Sequence, residues 1–313
     1  MKKKTTGLTL VLTGVLAAVG VGIGLYFINF ALQRGNEKDA AAPPAASSQI
    51  LDPTVRQQPV PDFEQGEWQL VAHDGLRLAA THFKPKQPSD RWVIVVHGYG
   101  RDQRSVWDIA SVYLQAGYHV LTPDLRASGK SEGQYLSMGY WESKDLALWT
   151  KELVRQAPQA QVVLHGVSMG AATVMLTAAR GLPSNVKVVV EDCSYTSAYE
   201  MFAMQLQKIF GLPSFPIMNI VDGVSRLKVG HFISDAAPLQ EIDKIKLPVL
   251  FIHGEADELA PVQMADRLYA AAKGKKQLLK IAGAEHADAR KAARQAYYAA
   301  VFAFIDQHLE NKN

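Results

Sequence analysis

Four short apolar runs, separated by longer amphipathic stretches, constrain the fold of this chain more than any other feature. Each run is rich in β-branched residues and nearly continuous in apolar character, which is typical of parallel strands buried on both faces. The runs are WVIVV (92–96), QVVLH (161–165), VKVVV (186–190) and PVLFI (248–252). Because strand and helix alternate, the sequence predicts an α/β domain built on a mostly parallel, doubly wound sheet.

The stretches between these runs have apolar residues at the spacing of an amphipathic helix. The predicted helices cover about 105–116, 139–156, 169–180, 261–272 and 288–308, and HVLT (119–122) and QLLKI (277–281) are two shorter strand candidates. Near the start of the domain, WQLVA and LRLAATHF flank the turn signal HDG (73–75). This pattern predicts a hairpin of two antiparallel strands that leads into the sheet.

The N-terminal segment has no charged residue between Lys4 and Arg34. As a helix, the stretch 8–32 is long enough to cross the ~30 Å hydrocarbon layer, and it exceeds the apolar region of a cleaved signal peptide. Lysines at 2–4 precede the stretch, whereas mixed charges follow it. We therefore expect a single-pass signal anchor, a transmembrane helix with the N-terminus in the cytoplasm and the catalytic domain outside. Late cleavage, which would give a secreted protein, stays open.

Composition divides the chain into three parts. Residues 1–33 form the predicted anchor, and residues 34–61, rich in Ala, Pro, Ser and Gln, have the character of a flexible linker. Residues 62–313 form the predicted α/β domain. Within it, the stretch at about 193–235 has no convincing strand and many aromatic and methionine residues. We expect this stretch to be a small helical cap over the carboxyl ends of the strands.

Charge and cysteine content exclude several kinds of site. The formal net charge is +3, and the three N-terminal lysines alone account for it, so we expect no surface for nucleic acid. Cys193 is the only cysteine, which excludes an intramolecular disulfide and a thiolate zinc cage. HExxH and Walker A motifs are absent. We expect no metal and no cofactor, and the oligomeric state stays open.

The pattern GVSMG (166–170) places Ser168 between a predicted strand and a predicted helix. Serine is a weak nucleophile unless a neighbouring base takes its proton and a third group orients that base. Gly166 and Gly170 supply the small residues that a strained strand-to-helix turn requires. Asp257 in HGEAD and His286 in GAEH each follow a later predicted strand. All three lie beyond the carboxyl ends of parallel strands, where open α/β sheets build their sites.

The order of these motifs resembles that of the α/β-hydrolase family over residues 63–308. The resemblance rests on HGYG (97–100), DLRASGKSEG (124–133), GVSMG, HGEAD and GAEH. It is closest to bacterial membrane-anchored serine hydrolases, grouped with serine aminopeptidase-like and monoglyceride-lipase-like members. The frequent DxRGHGxS of the family stands here as DLRASGKS, with Ala127 and Ser128 in place of Gly and His. This difference concerns the shape of the loop.

The resemblance implies the α/β-hydrolase fold and a catalytic role for each residue. Ser168 attacks a carbonyl, His286 takes its proton and returns it to the leaving group, and Asp257 orients the imidazole. Backbone N–H groups of Tyr99 and Met169 form the oxyanion hole, so the identity of these two side chains is expected to matter little. This mechanism requires no cofactor.

Three functions stay open at this point. Hydrolysis of acyl or aromatic-acyl esters is favoured, because the cap is apolar and aromatic; Tyr195, Met201 and Phe202 are its candidate substrate contacts. A serine peptidase of the aminopeptidase type uses the same triad, but it needs acidic residues to hold a free amino terminus. A non-catalytic surface binding module is the third. Some family members place the triad acid after an earlier strand, which makes Asp192 an alternative to Asp257.

Overall fold

The computed structural model of the chain describes residues 2–35 and 63–309, with side chains from residue 14 onwards except 16 and 17. The predicted linker at 34–61 lies almost entirely outside the described residues. The strands are β1 (Gln65–Val71), β2 (Arg77–Phe83), β3 (Arg91–Val96), β4 (His119–Pro123), β5 (Gln161–Val167), β6 (Val186–Asp192), β7 (Val249–Gly254) and β8 (Lys276–Ile281).

Helices precede the sheet and connect its strands. The α-helices are α1 (Lys2–Leu32), α2 (Trp107–Gln115), α3 (Tyr140–Gln156), α4 (Met169–Ala178), α5 (Ala198–Phe210), α6 (Ile217–Lys228), α7 (Pro238–Glu241), α8 (Gln263–Ala271), α9 (Ala289–Ala292) and α10 (Arg294–Asp306). Short 3-10 helices cover Gln103–Val106, Ile233–Asp235 and Ile242–Lys244. The sequence predicts one helix at 288–308, but two form, because Ala293 leaves the helical conformation with φ −137° and ψ 53°.

The described strands form one eight-stranded sheet in the order β1-β2-β4-β3-β5-β6-β7-β8. The predicted hairpin is confirmed, since β1 pairs antiparallel with β2. Strand β2 is also antiparallel to β4, and every neighbouring pair from β4 to β8 is parallel. Because these parallel strands point the same way, their carboxyl ends meet at one edge of the sheet.

Both faces of the central strands are buried, as their continuous apolar runs predict. Successive side chains of β3 point to opposite faces, as the pleat of a strand requires. Ile94 packs in a cluster with side chains of α3, α4 and α8. Its neighbour Val95 packs with side chains of α2 and α10. The sheet is therefore covered by helices on both sides, and its carboxyl edge is left for the connecting loops.

Two helices, α5 and α6, occupy most of the segment 193–235. Helix α5 begins after Ser197, whose hydroxyl accepts a hydrogen bond from the Glu200 N–H, and ends at Gly211 in the left-handed conformation with φ 66°. These are ordinary start and stop signals for a helix. Helix α6 contacts both α5 and α1.

The membrane span that the sequence predicts at 8–32 is not found. Within the described residues, none of the helices combines the length and the apolar character that crossing a membrane requires. The last turns of α1 pack against α6, and Ile28 and Leu32 are fully buried among side chains of the α/β domain.

Candidate active site

Ser168 occupies a sharp turn between β5 and α4. Its φ is 56° and its ψ is −118°, a combination that residues with a side chain rarely adopt. The two glycines of the motif make the turn possible. A Cβ on Gly166 would lie 2.1 Å from the Gly170 carbonyl oxygen, and a Cβ on Gly170 would lie 2.3 Å from the Val96 carbonyl oxygen. The strand, the helix and β3 can therefore approach this closely only because both positions are glycine.

The structure brings the three predicted side chains together at the carboxyl edge of the sheet. The distance from Ser168 Oγ to His286 Nε2 is 2.8 Å. The distance from His286 Nδ1 to Asp257 Oδ2 is 2.7 Å. Asp257 follows β7 and His286 follows β8, so the parallel sheet itself brings residues that are distant in the chain to one place.

Asp257 is buried, and its hydrogen bonds favour the ionised form. Oδ1 accepts the N–H groups of Leu259 and Ala260, each at 2.9 Å. The His253 Nε2 atom lies 3.3 Å from Oδ2. Burial alone would raise the pKa of Asp257, but the charge of His286 and these hydrogen bonds outweigh burial and hold the pKa below its ordinary value. The carboxylate is therefore charged at neutral pH and able to stabilise an imidazolium.

Asp192, the alternative acid, has different partners. It is fully buried at the end of β6, where Oδ2 accepts a hydrogen bond from the Tyr297 hydroxyl at 2.9 Å. Burial raises its pKa. Since Asp257 is the carboxylate that meets His286 Nδ1, the geometry favours Asp257 as the partner of the histidine.

Tyr99 and Met169, which carry the two predicted oxyanion donors, line the same cavity as Ser168. Met169 is the first residue of α4, and the first N–H groups of a helix have no acceptor within it. A Cβ on Gly98 would lie 3.3 Å from Ser168 Cβ, so the loop after β3 runs directly against the serine. Tyr99 follows in this loop and lines the same cavity as Ser168 and Met169.

The imidazole of His97 makes hydrogen bonds to backbone groups that position this loop. Its Nδ1 lies 2.9 Å from the Gly98 carbonyl oxygen, and its Nε2 accepts the Leu125 N–H at 3.0 Å. Burial lowers the pKa of His97, so the imidazole is neutral and can donate at one nitrogen while accepting at the other. His97 therefore positions the loop that carries Tyr99.

The side chain of Tyr99 has a contact that sequence reasoning missed. Its hydroxyl donates a hydrogen bond to the Ala31 carbonyl of α1. If only the backbone N–H of Tyr99 mattered, as the family resemblance implies, the identity of its side chain would be unimportant. The two residues are 68 positions apart, and no pattern in either segment indicates that they meet.

Ser168 lines an apolar cavity of about 90 Å³. The three candidate substrate contacts Tyr195, Met201 and Phe202 all line it, and the Tyr195 hydroxyl is bound to the Met138 carbonyl at 2.8 Å. Among the described residues that line the cavity, none is an aspartate or a glutamate.

Cys193, Asp257 and His286 are the residues of the described part that could offer three metal ligands, with ligand atoms within 4.8 Å of one another. However, both ring nitrogens of His286 already take part in hydrogen bonds with Ser168 and Asp257. Burial also raises the pKa of the Cys193 thiol well above its ordinary value, and metals bind the thiolate. The group therefore fits a hydrogen-bonded chain better than a metal centre.

The chain is similar to several known proteins. A family model described as the α/β hydrolase fold matches residues 91–223. The chain is 31% identical over 248 residues to the uncharacterized protein YqkD of Bacillus subtilis, covering 78% of this chain and 81% of that protein. It is 27% identical over 238 residues to the lysophosphatidylserine lipase ABHD12 of Danio rerio, covering 71% of this chain and 59% of the lipase.

Among solved structures, the esterase Pf2001 of Pyrococcus furiosus is similar in fold. It matches with a TM-score of 0.65 at 22% identity, covering 79% of this chain and 92% of the esterase chain. On the family model and the identity to YqkD, the chain belongs to the α/β hydrolase family.

Proposed function

We propose that this protein is a serine hydrolase that cleaves carboxylic esters through an acyl-enzyme. The observation that carries the proposal is the chain of short hydrogen bonds from Ser168, which lines an apolar cavity, through His286 to Asp257. A hydroxyl, an imidazole and an ionised carboxylate in this order are the parts of a catalytic triad.

The geometry supports one sequence of steps. Ser168 Oγ attacks the ester carbonyl carbon while its proton moves to His286 Nε2, and the N–H groups of Tyr99 and Met169 stabilise the oxyanion. The C–O bond then breaks, and His286 gives the proton to the departing alcohol. Water attacks the acyl-enzyme and passes its proton to His286. When the acid leaves, the proton returns to Ser168, so the enzyme is regenerated.

The lining of the cavity favours esters over peptides. A peptidase that binds free amino termini needs a carboxylate near the serine, and no described residue that lines the cavity supplies one. The names of two similar proteins, a lipase and an esterase, agree with this preference. Turnover of unblocked aminoacyl anilides at a rate comparable to that of esters would contradict it.

Hydrolysis of p-nitrophenyl esters tests the proposal. We expect Ser168→Ala to lower kcat by about 10⁴-fold or more, because the nucleophile is lost while the fold is kept. The matched control is Ser184→Ala, an exposed serine in the loop before β6, which should hydrolyse the esters like the unaltered protein. Activity that survives in Ser168→Ala would contradict the assignment.

The place of the enzyme in the cell is a proposal from the sequence alone. The uncharged stretch between Lys4 and Arg34, with lysines before it, supports a single-pass membrane protein whose catalytic domain lies outside, or a secreted protein after cleavage. Protease added to intact cells is expected to digest an anchored domain. A domain that is protected in intact cells and digested only after lysis would contradict this orientation.

A further inference from the structure

Helix α1 supplies one wall of the cavity that begins at Ser168. Helices α5 and α6 also line this cavity. The positions of α1 that line the cavity are Phe27, Ile28, Phe30, Ala31 and Leu32. These residues precede the α/β domain in the chain, and the stretch 36–62 separates them from it.

Backbone hydrogen bonds fix the end of α1 to the domain. The Leu136 N–H donates to the Leu32 carbonyl, and the Arg34 N–H donates to the Gln134 carbonyl, each at 2.8 Å. The Arg34 guanidinium also donates to the Ser131 carbonyl at 2.8 Å. Apolar contact alone would let the helix slide or rotate, whereas directional bonds to the backbone set one position for it.

Helix α1 also contacts the loop after β3 and helix α5. The Tyr99 hydroxyl binds the Ala31 carbonyl, which joins α1 to the loop beside Ser168. The rings of Phe27 and Phe30 meet the ring of Phe210 edge to face, with centroids 5.4 and 5.7 Å apart. Helix α1 is therefore built into the site between the proposed oxyanion loop and α5.

We infer that the last turns of α1, residues 27–32, form part of the substrate-binding site, and that the substrate is an ester of a long aliphatic acyl chain. The inference rests on the proposed ester hydrolysis and assigns its substrate class. The acyl chain lies between α1, α5 and α6, with its carbonyl carbon at Ser168. A lining made almost wholly of aliphatic and aromatic side chains offers no charge to bind a polar acyl group. Such a lining instead increases the affinity by roughly fourfold for each methylene group of the acyl chain that it buries.

The chain-length profile of the full-length protein tests this inference. The measured quantity is kcat/KM for a series of p-nitrophenyl esters from acetate to laurate. It is compared between the unaltered protein and two variants: Ala31→Phe adds a ring inside the cavity, and Phe27→Ala removes one. We expect Ala31→Phe to lower the laurate-to-acetate ratio of kcat/KM by about tenfold or more, the loss of two or more buried methylenes. We expect Phe27→Ala to move the optimum towards longer chains.

The control is Val19→Phe, a position on α1 that is 55% exposed and does not line the cavity; its ratio should equal that of the unaltered protein. Labelling of Ser168 by a fluorophosphonate shows that each variant keeps a folded site. Ratios that stay unchanged in both cavity variants, while labelling and acetate hydrolysis persist, would overturn the role of α1. An unaltered protein that is neither labelled nor active would instead overturn the proposed function beneath it.

Discussion

Two buried aspartates near the imidazole of His286 differ in what they bind. Asp257 accepts two backbone N–H groups and contacts His286, so its charge is satisfied. Asp192 accepts one bond from the Tyr297 hydroxyl, and burial raises its pKa. Asp192 ends one buried strand and Asp257 follows another, and only the three-dimensional arrangement of the loops separates their roles.

Substitution of each aspartate by asparagine distinguishes the two. We expect Asp257→Asn to lower kcat by about 10⁴-fold, because the amide no longer holds His286 in the tautomer that accepts the serine proton. Asp192→Asn keeps an oxygen acceptor for Tyr297, so kcat should stay within about tenfold of the unaltered value. Steady-state hydrolysis of a p-nitrophenyl ester measures both. A larger loss for Asp192→Asn would identify Asp192 as the triad acid.

Glu191 is a buried carboxyl that should make stability depend on pH. Burial raises its pKa to about 8 from an ordinary value of 4.5. Between these values the folded protein holds a proton that the unfolded chain has lost. The contribution of Glu191 to the free energy of unfolding is therefore fully present below pH 4.5. It is lost as the pH rises towards 8, by about 1.4 kcal/mol per pH unit.

Glu191→Gln removes this titration and keeps the oxygen that accepts the Ser194 N–H. We expect the Tm of the variant to fall less than that of the unaltered protein between pH 5 and pH 8, and to exceed it at pH 8. Glu255→Gln, at an exposed position after β7, is the control and should leave the pH dependence as it is. Parallel curves of Tm against pH for Glu191→Gln and the unaltered protein would show that Glu191 does not titrate as described.

At the scale of elements, the sequence patterns predicted what depends on neighbours along the chain. Apolar runs identified β3, β5, β6 and β7, and turn signals identified the hairpin of β1 and β2. The motifs that follow β5, β7 and β8 could be assigned because a parallel sheet brings its carboxyl ends together. The positions of α1 and of the Tyr99 side chain could not be predicted. They depend on contacts between segments that are distant in the chain, and helical periodicity does not indicate which segment a helix packs against.

Substitution of Gly24 in α1 tests whether that helix packs on the domain. A Cβ on Gly24 would lie 2.5 Å from Val224 Cγ2 and 2.9 Å from Val224 Cβ in α6, whereas a Cβ on Gly22 would meet nothing within 4 Å. We expect Gly24→Leu to push the two helices apart and to lower the free energy of unfolding by about 1–3 kcal/mol. Gly22→Leu is the matched control, which only improves helix propensity.

Thermal unfolding of the full-length protein, with hydrogen exchange of the α1 amides, measures the effect of both substitutions. Faster exchange in α1 is expected for Gly24→Leu alone. If the two variants exchange and unfold alike, α1 does not pack against α6 in solution.

At the scale of the whole molecule, the described elements place a reactive centre and an apolar cavity at the same edge of the sheet. The turn after β5 carries Ser168, the loops after β7 and β8 carry Asp257 and His286, and the loop after β3 carries Tyr99. Helices α1, α5 and α6 surround the cavity that opens from this point. The proposed ester hydrolysis uses both parts: the sheet positions the proposed catalytic residues, and the helices form the proposed site for the acyl group.

Covalent labelling by a fluorophosphonate, followed by intact-mass analysis and peptide mapping, tests the central claim most directly. Such a reagent phosphonylates a serine only when a base activates its hydroxyl. The account predicts a single adduct on the peptide that contains Ser168, present in Ser184→Ala and absent from Ser168→Ala. A folded, unaltered protein that forms no adduct, or an adduct that persists in Ser168→Ala, would contradict the claim that Ser168 is the nucleophile.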